Sequence, residues 1–141
     1  MKNSDPLNRF LDAQASSYEQ ALSEIKSGRK RSHWMWFIFP QLQGLGYSET
    51  ARFYAIKDLQ EAQLYLQHPV LGPRLVEISK AMLALESKTA TQALGNPDDL
   101  KLRSSMTLFA AVPGADPVFQ AVLDKYFNGE KDKKTLQLLQ D

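Results

Sequence analysis

The run Trp34-Met35-Trp36-Phe37-Ile38-Phe39, closed by Pro40, constrains the fold more than any other part of the chain. It is apolar on every side, so an element built from it must be covered all round. Pro40 forces a break near Phe39, because proline restricts the residue before it and donates no backbone hydrogen bond. So short a run also suits a strand. No later segment offers a partner strand, however, and the reading is a short buried aromatic helix that the rest of the chain must cover.

The remaining segments have the spacing to do so. Asp5-Pro6 is a good helix start, with a side-chain acceptor at the cap and then a residue that needs no N–H partner. Leu7, Phe10, Leu11, Gln14, Tyr18, Ala21, Leu22 and Ile25 then share one helical face. Ser16-x-x-Glu19 has capping-box form, which predicts two shorter helices meeting near Ser16 and closed by Gly28. Ser48 is a natural cap for a helix through Thr50, Phe53, Tyr54 and Ile56, and Asp58-x-x-Glu61 opens another that His68-Pro69 ends. Pro73 is expected to open the next, with Leu75, Ile78, Ser79 and Met82 inward. Shorter helices follow over Thr89 to Leu94, from Asn96-Pro97 onward, from Asp116-Pro117 to Asn128-Gly129, and after Asp132. The expected architecture is a single all-α domain over residues 1–141, with about eight short helices around a buried aromatic helix and residues 1–5 as a loose tail.

Composition excludes more than it identifies. A formal net charge of +1 gives no general attraction to nucleic acid or to anionic lipid. With no cysteine, disulfides, thiolate metal sites and a cysteine nucleophile are all absent, which suits a reducing compartment. No apolar run approaches the roughly 20 residues that span a bilayer, and the expected location is the cytoplasm. A zinc site is not expected from two histidines without a pair at i, i+4, and no cofactor motif is present: Gly44-Leu45-Gly46 lacks the third glycine of a dinucleotide fingerprint and there is no Walker lysine. Nothing in the sequence sets an oligomeric state.

The candidate site residues gather around the aromatic run. His33 joins the basic stretch Lys26, Arg29, Lys30, Arg31 to it, and is the better of two acid–base candidates; His68, before Pro69, reads as structural. The indoles of Trp34 and Trp36 serve as packing groups or as stacking surfaces for a heteroaromatic ring. Gly44 and Gly46 form a turn that can aim free N–H groups at an anion, with Arg52 one turn into the following helix, and Arg74 and Lys101 supply further cations. Ser104, Ser105 and Thr107 are poor interior helix residues, because their hydroxyls compete for backbone groups, so they mark a polar seam or a ligand wall.

The block Arg29 to Leu42 with Gly44-Leu45-Gly46 resembles the bacterial "domain of unknown function 1810" family. So do Tyr54-Ala55-Ile56, His68 to Leu75, Pro97 to Lys101, and Ser104 to Phe109, and the match runs from about Leu7 to Leu139. The resemblance implies a small, mainly α-helical, cytosolic domain and no particular reaction. Some relatives carry the label calpastatin, a disordered repeat-bearing inhibitor, whereas this chain has the apolar content of a packed domain. Two functions compete. One is a small-molecule site for an anionic, nucleotide-like ligand, lined by His33, Trp34, Trp36, Gly44, Gly46, Arg52, Arg74 and Lys101, with a hydrolytic version in which His33 is the base. The other is a non-enzymatic protein-interaction module using an exposed aromatic face. Nucleic-acid binding through Lys26 to Arg31 ranks well below both.

Overall fold

The computed structural model describes residues 5–140. The tail expected over residues 1–5 therefore lies outside the described residues except for Asp5, whose carboxylate accepts the Leu7 N–H at 2.9 Å. The described residues form nine helices: α1 (Asn8–Lys26), α2 (Met35–Ile38), α3 (Glu49–Phe53), α4 (Leu59–Gln67), α5 (Leu71–Leu83), α6 (Ala90–Leu94), α7 (Asp98–Ala110), α8 (Val118–Phe127) and α9 (Lys133–Gln140). They pack as a single all-α domain. Among the described residues no helix is long and apolar enough to cross a membrane.

Local chemistry sets most of the boundaries. Ser48 accepts the Ala51 N–H, Asp58 that of Glu61 and Asp132 that of Thr135, while Thr89 and Gln92 form a reciprocal capping box on α6. At the other ends, Gly28 and Asn128 adopt the positive φ that stops α1 and α8.

Three expectations need correction. The first stretch is one helix rather than two. Ser16 is exposed and Ser17 half-buried, so the serines lie off the buried stripe of Phe10, Gln14, Tyr18, Ala21, Leu22 and Ile25 and leave it intact. Secondly, α5 begins at Leu71, before Pro73, because the His68 ring caps it: Nδ1 accepts the N–H groups of Val70 and Leu71 at 3.1 and 3.3 Å. Thirdly, α3 ends at Phe53, short of the expected Tyr54 and Ile56, and Ile56 instead makes a parallel β-bridge with Leu42, through Ile56 N–H to the Gln41 carbonyl (2.8 Å) and Gln43 N–H to the Ile56 carbonyl (2.7 Å).

The aromatic run enters the core through Trp34, Met35, Ile38 and Phe39. Only its middle is helical, and Trp36 and Phe37 remain half-buried. The helix enclosed on most sides is α7, where every residue from Ser104 to Phe109 is buried. It packs against α8, α6, α9 and α4. Two of its hydroxyls are satisfied within the helix, Ser104 Oγ and Thr107 Oγ1 donating to the carbonyls four residues earlier at 3.2 and 2.8 Å, whereas the buried Ser105 Oγ has no partner among the described residues. Of the two readings of this hydroxyl series, the structure supports the helix–helix seam.

A chain of ring contacts links core to surface. Phe119, Phe109, Tyr65, Phe10 and Tyr54 meet successively with centroids 5.1–5.9 Å apart, and Tyr54 continues to Phe37 at 5.3 Å and Phe53 at 4.8 Å.

Candidate functional site

The loop between α1 and α2 is held by a buried carboxylate. Glu24 Oε1 accepts the backbone N–H groups of Arg31 (2.8 Å) and Ser32 (3.0 Å) and the Trp34 indole N–H (2.8 Å). Oε2 accepts the Ser32 hydroxyl at 2.7 Å and the Gln20 amide at 3.2 Å. Burial opposes ionisation of Glu24, but the Arg31 N–H, the Ser32 hydroxyl and the Trp34 indole all favour the charged form, and the carboxyl is lowered to about 2. Glu24 thereby fixes where the basic loop ends and where His33 begins.

Asp98 does similar work on the tryptophans. Its two oxygens pair with Lys30 at 2.9 Å and Lys101 at 3.4 Å. Each lysine lies over a tryptophan ring, Lys30 at 5.1 Å from the Trp34 centroid and Lys101 at 5.2 Å from that of Trp36. The end of α2 is tied to α1 by the Gln14 amide, which donates to the Phe37 carbonyl at 2.7 Å and to the Tyr65 hydroxyl at 3.1 Å.

With α2 so fixed and the Leu42–Ile56 bridge folding the chain back, α3 comes to lie beside it. Between them runs an open groove of about 570 Å³ lined by His33, Trp36, Phe37, Glu49, Thr50, Phe53 and Tyr54. Its walls are aromatic. The side chains of His33, Glu49, Thr50 and Tyr54 make no hydrogen bond or ion pair with other described residues, nor does the Trp36 indole N–H. Such an arrangement can hold a flat apolar ring while leaving acceptors and donors at its edge.

The sequence-derived candidates are not all brought together. His33 and Trp36 share the groove, and Lys101 sits over Trp36. Trp34 is 1% exposed and bonded to Glu24, so it belongs to the core. Gly44 lines a different cleft, where Leu138 would meet a Cβ at 3.2 Å, and Gly46 lies against Ala51, whose Cβ would be 2.6 Å from its own. Arg52 turns back on its own loop, donating from Nε and Nη2 to the Tyr47 carbonyl at 2.9 and 2.7 Å. Arg74 stacks over Tyr18 at 5.0 Å and reaches Gln14 at 3.4 Å. There, burial and the Glu77 carboxylate raise the Tyr18 hydroxyl above its ordinary range, and burial alone does so for Tyr65.

Sequence reasoning missed Phe37, Glu49, Thr50, Phe53 and Tyr54 as groove residues. It also missed Glu24, whose signal was a carboxylate set within the core-facing sequence Ala21, Leu22, Ile25. Among the described residues no group of three His, Cys, Asp or Glu side chains is placed to hold a metal.

Comparison with known proteins yields two matches. The family described as "Protein of unknown function (DUF1810)" matches residues 4–139. The crystal structure of the conserved hypothetical protein Rv1873 from Mycobacterium tuberculosis is 48% identical, with a TM-score of 0.95 over 99% of both chains. No curated protein matches.

Proposed function

The chain belongs to the DUF1810 family, and we propose that it is a ligand-binding protein whose aromatic groove takes a nucleotide-like molecule. The observation that carries this reading is the groove itself, where four aromatic side chains face His33, Glu49 and Thr50, whose polar groups have no partner among the described residues. Stacking of a base on aromatic side chains contributes about 1–3 kcal/mol per base. The anionic end of the ligand is assigned to the exposed cations preceding His33. Arg29 and Arg31 make no ion pair among the described residues, and Arg31 lies at most about 7 Å from His33 along the chain. Lys101, partly neutralised by Asp98, supports the same end. Gly44, Gly46, Arg52 and Arg74 take no part, and His33 is retained as a contact residue, with no reaction assigned to it.

Calorimetric titration with mononucleotides tests the reading. Saturable binding is expected, weakened about fivefold or more by Phe53→Ala, since one stacking wall is worth about 1–3 kcal/mol. Phe53 is 59% exposed, so the substitution leaves the core intact. Absence of heat with every mononucleotide up to millimolar concentration would refute it. A second reading, a protein-interaction module, is favoured by two exposed aromatic side chains, Tyr47 at 76% and Phe53 at 59%. On that reading a photo-crosslinking residue at position 47 captures a macromolecule and the nucleotide titration stays flat.

A further inference from the structure

We propose that the groove selects a guanine-type base, and that Glu49 is the residue that selects it; the inference rests on the nucleotide-like reading above and specifies its base. A ring stacked on an aromatic side chain of the groove offers its edge to the flanking polar groups, so the donor and acceptor pattern at the rim decides which ring is held. At this rim the sole carboxylate is Glu49, at the start of α3 and followed directly by Thr50. An ionised carboxylate presents two adjacent oxygens and only accepts. Guanine alone among the common bases sets two donors, N1–H and the N2 amino group, side by side on one edge. Its O6 then falls next to them and requires a donor, which the Thr50 hydroxyl supplies. Adenine places a ring-nitrogen lone pair beside its amino group, and cytosine does the same, so one carboxylate oxygen would meet a lone pair. Uracil offers one N–H between two carbonyls.

Two further observations leave Glu49 available for this role. It makes no ion pair and no side-chain hydrogen bond with other described residues. The cation nearest to it in sequence, Arg52, is held by the Tyr47 carbonyl through both Nε and Nη2. Glu49 thus enters the groove as an unneutralised acceptor pair, an arrangement that disfavours a ligand recognised through lone pairs.

The test is a calorimetric panel of GMP, IMP, AMP, CMP and UMP against the full chain and its Glu49→Gln and Thr50→Val variants, with thermal melts to confirm folding of these exposed-site variants. GMP is expected to bind more tightly than AMP by about fivefold or more, the discrimination of one good two-point contact. IMP, which lacks the N2 amino group, is expected to fall between them. Glu49→Gln, whose amide offers one donor and one acceptor, should remove the GMP preference and strengthen AMP, and Thr50→Val should weaken GMP without strengthening AMP. Equal affinity for all five nucleotides, or a GMP preference that survives Glu49→Gln, overturns the guanine assignment while the groove reading stands. Binding of none of them overturns both.

Discussion

Replacing Glu24 by glutamine tests the buried carboxylate that anchors the loop before His33. Five donors converge on it, and it is 6% exposed. Lowering its carboxyl from the ordinary 4.5 to about 2 corresponds to about 3 kcal/mol of preference for the charged form in the folded chain. Between these two values the unfolded chain binds the proton more readily, so stability rises with pH through the window. The contribution is complete above about pH 5, and roughly 2 kcal/mol of it is gone by pH 3. Glutamine does not titrate, and it turns an amide N–H₂ toward groups that are themselves donors.

Urea denaturation of both proteins from pH 7 to pH 3 is the assay. At pH 7 the variant should be less stable by about 3 kcal/mol, a fall in Tm on the order of 10 °C, and the gap should narrow as the pH drops. A gap constant from pH 7 to pH 3 would refute the reasoning, because it would mean the carboxylate is worth no more folded than unfolded.

Substitutions at three other positions probe how the helices are capped and packed. His68→Ala removes the ring acceptor of the Val70 and Leu71 N–H groups and should cost about 1 kcal/mol, with His68→Asn recovering most of it in urea titrations; an unchanged midpoint for the alanine variant would contradict the capping role. Gly72→Ala places a Cβ 2.1 Å from the Leu66 carbonyl oxygen, a backbone atom that cannot move aside. It should cost about 3 kcal/mol or more by thermal melt. Gly114→Ala, with open space but φ +76°, should cost only about 1 kcal/mol; equal losses would show that sterics do not separate the two sites.

What the chain states locally, it states plainly. Ser48, Asp58, Thr89 and Asp132 each cap the helix their spacing announces, because a cap bond spans only two or three residues and needs nothing from the rest of the fold. The apolar period likewise gave the helical class. His33 and Trp36, two of the candidates, belong to the one stretch whose composition stands apart, and both line the groove between α2 and α3.

Tertiary structure decided the rest. Glu49, Thr50, Phe53 and Tyr54 share a groove with Trp36, and the Leu42–Ile56 bridge that turns the chain back joins residues with no shared local pattern. Gly44, Gly46, Arg52 and Arg74 are near the aromatic run, or chemically suited to it, on the page alone; packing sends Gly44 to another cleft and spends Arg52 on a carbonyl. Nor does polarity predict enclosure. The all-apolar aromatic run keeps Trp36 and Phe37 half-exposed at the groove, while α7 is buried from Ser104 to Phe109, with the hydroxyls of Ser104 and Thr107 bonded to carbonyls of their own helix. The aromatic segment therefore both fills the core and exposes two rings beside α3, and only the packing of the other helices determines which rings do which.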